Sequence, residues 1–291
     1  MEQTFPDHER RMQVLHRIRR ELGPNLLGAG TPTCWLQQDA VVPCSIPALE
    51  WALGMAGLPR GHIVEMLGAE HAGKSTLALA IAAGAQSAGA IVAWIDAGHQ
   101  FDPSYAFSFG VHGEELLISR PHSAEQALGI ITALVRSEAV DLIVLDSVSA
   151  MIPQSDVSTS PPAEPSGSTR FVLLRALLRM HPWVRRSRCC LLFLDQMTDR
   201  EYADAGIPET TACTRTMTPF SSARIVLRRI WKRDTSRPGT HARALLTVAK
   251  NRLGPRGRAT EIGWDLRNGR IFETAGSRID PSIVTHTTDA N

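Results

Sequence analysis

The residues with the types and spacing to do chemistry are Gly68-Ala69-Glu70-His71-Ala72-Gly73-Lys74-Ser75, a glycine, four residues and then Gly-Lys-Ser. The glycines let the backbone turn its N–H groups inward around an anion, and no side chain blocks the approach. Lys74 supplies charge for the outer phosphates of a nucleotide, and the Ser75 hydroxyl is a hard oxygen ligand suited to Mg²⁺. With Thr76, these residues form a complete phosphate-binding stretch for ATP. A second carboxylate is expected at the end of a neighbouring strand, and Asp146 closes the run Asp141-Leu142-Ile143-Val144-Leu145-Asp146. A lone aspartate there is more often a turn former. The phosphate loop upstream is what favours the Mg²⁺ role.

Such a loop works only between a strand and a helix. Ile63-Val64-Glu65-Met66-Leu67 reads as a buried strand, and Ser75 to Ala88 reads as an Ala/Leu-rich helix whose N-terminal dipole points at the loop. Ile91 to Asp96, Leu116 to Ser119 and Cys189 to Asp195 read as further core strands. Ser123 and Gln126 have capping-box spacing and start a helix to about Ser137. Strands alternating with helices predict a parallel sheet with its ligand at the carboxyl ends of the strands. Arg224 to Trp231 and Ala242 to Ala249 alternate around Arg237-Pro238-Gly239-Thr240, the pattern of a hairpin.

Bulk properties bound the rest. A chain of 291 residues can bury one sizeable α/β core with small appendages, and a net charge of +2 is too small to argue for nucleic acid by itself. Cys34, Cys44, Cys189, Cys190 and Cys213 lack metal-ligand spacing, and an odd set without a signal peptide points to the cytoplasm. Thr76 to Ile95 carries no charge, but Gln86, Ser87 and Gly89 divide it into helix, turn and strand, so no membrane span is expected. Asp7 to Leu22 reads as a basic amphipathic helix, either packed on its own core or docked on a neighbouring subunit. Residues 1–35 are thus an N-terminal helical, oligomerisation segment, 36–275 the ATP-binding core and 276–291 a disordered tail.

Several stretches in order carry a resemblance. They are Gly57-Leu58-Pro59, Ile63-Val64-Glu65, the loop at Gly68, Ile95-Asp96-Ala97, Asp102-Pro103-Ser104-Tyr105-Ala106, Glu125-Gln126-Ala127-Leu128, Asp146-Ser147-Val148, Pro208-Glu209-Thr210-Thr211 and Lys250-Asn251. Through them the chain, from about Asp7 to Glu273, resembles the bacterial RecA recombinase family. The resemblance implies a RecA-like P-loop NTPase core: α/β, with a central mostly parallel sheet, an N-terminal helix and a C-terminal hairpin. It also implies that the chain stops where the family's C-terminal domain begins. Tyr105 would stack on adenine (its alternative being a core aromatic), and Asp102 would contact the adenine amino group. Gln196 would sense the γ-phosphate. Lys250 and Arg252 would reach the neighbour's ATP in trans, in the manner of an arginine finger. Residues 157–169 and 199–219 fall where the family has its two DNA-binding loops. Arg200 and Arg215 in the second, with Arg170 beyond the first, are the candidate DNA contacts.

The departures point the other way. The family has a glutamate after Ile-Asp-Ala to polarise the attacking water, and here that position is Gly98, so hydrolysis is expected to be weak. Asp96 or His99 would have to be repositioned to replace it. Thr218 and Pro219 stand where a basic and an aromatic subunit sensor are expected, and Glu201 stands where an aliphatic wedge enters DNA. Basic runs remain at Arg170, Arg175 and Arg179, at Arg185, Arg186 and Arg188, and at Arg224, Arg228, Arg229, Lys232 and Arg233. Each run is either a solvated face or part of a DNA track. Two functions follow. One is an ATP-dependent, single-stranded-DNA-binding protein of repair and recombination, self-associating or joining a RecA filament, with weak DNA-dependent ATPase activity. The other is a regulatory adaptor similar to the ImuA-type proteins of SOS translesion mutagenesis after DNA damage. Such an adaptor would use ATP as a switch and act through RecA or a polymerase. A small-molecule kinase is disfavoured because no lid-like arginine segment stands out.

Overall fold

The computed structural model describes residues 40–157, 167–197, 212–230, 241–265, 269–274 and 276–280, together with Gln13, Arg17, Ile18 and Arg20. The chain divides into two compact units, Met1–Ala40 and Val41–Asn291. In the first, the four described positions before Ala40 are helical and exposed. The second unit carries the sheet.

That unit is built on a nine-stranded sheet. Its parallel part comprises β3 (Ile63–Gly68), β4 (Val92–Asp96), β5 (Leu116–Ser119), β6 (Leu142–Asp146), β7 (Cys190–Gln196) and β8 (Ser221–Ile230). Strands β9 (His241–Asn251), β10 (Ala259–Asp265) and β11 (Arg270–Glu273) continue it antiparallel from β8. Across the sheet the order is β11-β10-β9-β8-β3-β7-β6-β4-β5. Strands β3, β4 and β7 are near-continuous apolar runs because helices cover both their faces. A separate ribbon pairs β1 (Val41–Pro43) with β2 (Gly57–Pro59). β2 leads into the turn at Arg60 and Gly61, which feeds β3.

One face of the sheet packs Val64, Met66, Trp94, Leu192 and Leu194 against α1 (Pro47–Leu53) and α2 (Lys74–Ser87). The other packs Ile63, Ile95, Leu191 and Phe193 against α4 (Ala124–Ser137) and α6 (Gly167–Ser187). Between these lie the short α3 (Pro103–Ser108) and α5 (Gln154–Val157), and α7 (Ala212–Met217) follows β7. The start of α4 is a capping box shifted by one residue. Ser123 Oγ accepts from Gln126 N, and Gln126 Oε1 accepts from His122 N rather than from Ser123. Helix α6 crosses Pro182, because Leu177, Met180 and Val184 continue one buried stripe past it. Residues 276–280, within the expected tail, run beside β10. Ile279 bridges Ala259, and Arg258 Nε donates to Asp280. The first candidate DNA-binding loop is described only to Val157 and from Gly167, and the second only from Ala212, so Arg200 and Glu201 lie outside the described residues.

Candidate functional site

Strand register brings the chemistry together. Gly68 pairs with Gln196, and Asp96 with Asp146, so the carboxyl ends of β3, β7, β4 and β6 share one edge of the sheet. At this edge lies a cavity of about 470 Å³ lined by residues 70–76, Gly98, Gln100, Asp146, Ser147, Ser149, Ala150, Gln196, Arg229, Ala242 and Trp264.

Close packing against neighbouring strands requires glycine at both ends of the loop. An added Cβ at Gly68 would lie 2.7 Å from the Leu227 carbonyl oxygen. At Gly73, where φ is +94°, it would meet the Trp264 ring at 2.4 Å. Gly73 also caps α2 without any side-chain hydrogen bond, which leaves the first N–H groups of the helix to the cavity. Lys74 Nζ donates to the carbonyls of Gly68 and Ala69, each at 2.9 Å, bracing the loop. Burial lowers the Lys74 pKa, while Asp146, Asp195 and Glu70 oppose the shift.

On the acidic side, burial raises the Asp146 pKa, and the Ser75 hydrogen bond and Lys74 pull it back down. A hydroxyl and a carboxylate joined this way beside a phosphate cradle fit Mg²⁺, which takes few protein oxygens and completes its shell with phosphate and water. Neither substitute for the missing glutamate is free. Asp96 accepts from Gln100 N at 2.9 Å and Phe101 N at 3.1 Å and pairs with Arg120 Nε at 3.2 Å. The His99 Nε2 lies 3.2 Å from the Pro121 carbonyl oxygen, and its ring stacks on His122. Gly98 faces the cavity without a side chain, and Gln100 lines it close by.

Tyr105 and Asp102 do not line this cavity. The Tyr105 hydroxyl is 2.8 Å from Thr76 Oγ1, and its ring packs edge-on against Phe109. Asp102 caps α3 through Ser104 N and Tyr105 N. Gln196 is exposed at the end of β7, beside the loop. Lys250 and Arg252 lie back along the sheet from this edge, because Lys250 pairs with Arg224 and Arg252 N donates to the Ser222 carbonyl, next to the start of β3. Along β3, Lys250 is level with Glu65 and Arg252 with the start of the strand, so about 10–15 Å of strand separates them from Gly68. Lys250 therefore serves its own phosphate loop in no direct way. It donates to the carbonyls of Thr218 and Ser221, and burial brings its pKa down to about 8.

The basic runs separate on folding. Arg170, Arg175, Arg179 and Arg215 are exposed on α6 and α7. Arg224, by contrast, is buried, with Nε 2.7 Å from Glu65 Oε2 and Nη2 on Thr218 Oγ1. Arg229 lines the phosphate cavity and donates to the His71 carbonyl. Both leave any DNA track on the hairpin, while Lys232 and Arg233 lie outside the described residues. Reading the chain alone missed Trp264, Ala242 and Gln100 as cavity residues and misplaced Arg229. The chain alone carried no signal for Arg229, because its place follows from the pairing of Gly68 with Leu227, which sets Arg229 two residues beyond the loop strand. Burial holds Cys44 and Cys189 at about 12 and Cys213 at about 11, consistent with packed, inert thiols. No described helix is long and apolar enough to cross a membrane.

Comparison with known proteins places this geometry. A family model described as the RecA N-terminal domain matches residues 13–269. Protein RecA of Heliobacterium modesticaldum is 35% identical over 93% of this chain and 78% of its own length. Protein RecA of Mycobacteroides abscessus is 36% identical over 96% and 80%. The crystal structure of the RadB recombinase superposes with a TM-score of 0.58 at 20% identity, over 79% of this chain and 98% of that one, a likeness of fold. With a nucleotide-type phosphate loop in a RecA-like sheet and relatives of this identity over nearly its whole length, the chain belongs to the RecA recombinase family.

Proposed function

We propose that this RecA-family chain is an ATP- and Mg²⁺-binding protein of DNA repair and recombination. It engages single-stranded DNA, associates with copies of itself or with a RecA filament, and hydrolyses ATP slowly. The observation that carries the reading is a complete phosphate cradle whose water side holds Gly98, with Asp96 and His99 both committed elsewhere. When bound, Mg²⁺ would supply Lewis-acid neutralisation of phosphate charge. Gly68 and Gly73 let the loop pack against Leu227 and Trp264, Lys74 holds the loop and would meet phosphate charge, and Ser75 and Asp146 would offer the oxygens. Gln196, at the end of β7, is the residue to report γ-phosphate occupancy to the segment that follows it. Lys250 and Arg252 lie away from their own loop along the sheet, a placement compatible with a trans-acting role, and Lys250 would have to leave the Thr218 and Ser221 carbonyls to take it.

A second reading, an adaptor that uses ATP as a switch and acts through RecA or a translesion polymerase, is favoured by the apolar exposure of α6, where Phe171 is 67% exposed. Phosphate release with and without single-stranded DNA, beside Lys74→Ala, separates the two. Slow turnover stimulated by DNA and lost in Lys74→Ala supports the first. Nucleotide binding with no DNA effect supports the second, and failure to bind nucleotide removes both.

A further inference from the structure

The outer face of α6 differs from a solvated arginine run. At about 100° per residue, Phe171, Arg175, Leu178 and Pro182 fall within about 60° of one another. They lie opposite Leu173, Leu177, Met180 and Val184, which are buried. Phe171 is 67% and Leu178 59% exposed, and among the described residues only Phe107 is a more exposed large hydrophobic. Two turns of helix, about 10 Å, separate them, with Arg175 between and Arg179 alongside. Both arginines are exposed, and among the described residues neither has a carboxylate partner.

Nucleic acid makes poor use of such a face. Leu178 offers neither charge to a phosphate nor a ring to a base, and stacking platforms for single strands rely on successive aromatics. Two apolar anchors two turns apart with cations between them match one face of an amphipathic helix instead. Leucines of that helix would cover the anchors while its carboxylates meet the arginines. Phe and Arg are also the residue types enriched at the centres of protein interfaces. We propose that this face of α6 docks an acidic amphipathic helix of a partner protein, with Phe171 and Leu178 as anchors and Arg175 and Arg179 as the charge-matching rim. This goes beyond the nucleotide site and does not depend on hydrolysis.

The test uses the full chain and three fluorescein-labelled probes. One is a synthetic helix of about twenty residues with leucines at heptad spacing flanked by glutamates. The second is the same peptide with serines for leucines, and the third is an oligothymidylate. The leucine peptide is expected to bind about tenfold or more tightly than the serine peptide. Phe171→Ser with Leu178→Ser should weaken it by about tenfold or more, while oligothymidylate and ATP binding stay within about twofold. Arg175→Glu with Arg179→Glu should weaken it and flatten its salt dependence. Absence of leucine-peptide binding, or binding indifferent to the serine pair, overturns the proposal. A serine pair that weakens oligothymidylate and spares the peptide assigns the face to DNA and overturns it equally. Retained ATP binding shows that the variants are folded.

Discussion

Gly98→Glu should raise ATP turnover. The structure has room for the change. A Cβ at Gly98 would sit 3.6 Å from the Ala150 Cβ and 3.8 Å from the Gln100 Cγ, ordinary contact distances, and its backbone lies outside the left-handed region. The substitution also restricts the unfolded chain, which stabilises by about 0.4–1 kcal/mol, so folding is not the obstacle. A positioned general base contributes on the order of 10²–10⁴-fold, or about 3–5 kcal/mol of barrier at 1.36 kcal/mol per tenfold. Because neighbouring Asp96 and His99 are held by Arg120 and Pro121, the wild type gains little of this now. The assay is phosphate release at saturating ATP and Mg²⁺ with single-stranded DNA, for wild type, Gly98→Glu and Gly98→Gln. We expect about 10²-fold or more in kcat for glutamate, a KM within about threefold, and no gain for glutamine, which fills the space without a base. Equal rates for wild type and Gly98→Glu, with ATP bound by both, would refute the reasoning. A gain shared by Gly98→Gln would show that packing rather than base chemistry was missing.

Three further predictions concern the scaffold. Arg224→Met strands the buried Glu65, whose Oε1 has no hydrogen-bond partner. It should cost about 3–5 kcal/mol, seen as a Tm loss of about 6–15 °C, and adding Glu65→Leu should recover most of it. Gly73→Ala drives a methyl group into Trp264 at a φ of +94°. Calorimetry should show at least about 1–2 kcal/mol of destabilisation together with weakened ATP binding, and a neutral result would mean that the loop is looser than described. His62 is pushed to about 4 from an ordinary 6.5 by burial and then by Arg185 and His181. The unfolded chain therefore binds more protons between those values. The contribution is full above pH 6.5 and is lost as pH falls towards 4. A Tm profile over that window should be shallower in His62→Gln, and identical slopes would remove His62 as the titrating group.

Much of the site was legible because it is local. Phosphate binding needs a glycine-rich turn between a strand and a helix, and all of it lies within a short run around Gly68 to Ser75. Buried parallel strands announce themselves as unbroken apolar runs, so β4, β6 and β7 fell within a residue or so of their expected bounds. Gly98 was likewise visible as an absence at a known distance from a known strand end.

What the sequence could not settle depends on contacts between distant segments. Arg224 and Arg229 look alike on a strand of alternating residues, yet one neutralises Glu65 in the core and the other reaches the phosphate loop. Only the pairing of β8 with β3 decides which is which. Trp264 closes over Gly73 across 191 positions of chain, and no periodicity signals such a contact. Lys250 and Arg252 share the β8–β9 hairpin region with Arg229 but lie about 10–15 Å along the sheet from the phosphate loop, because a strand carries its residues about 3.3 Å apart. Local chemistry is written in residue type and spacing, whereas the direction each charge faces follows from register and is fixed only when the sheet assembles.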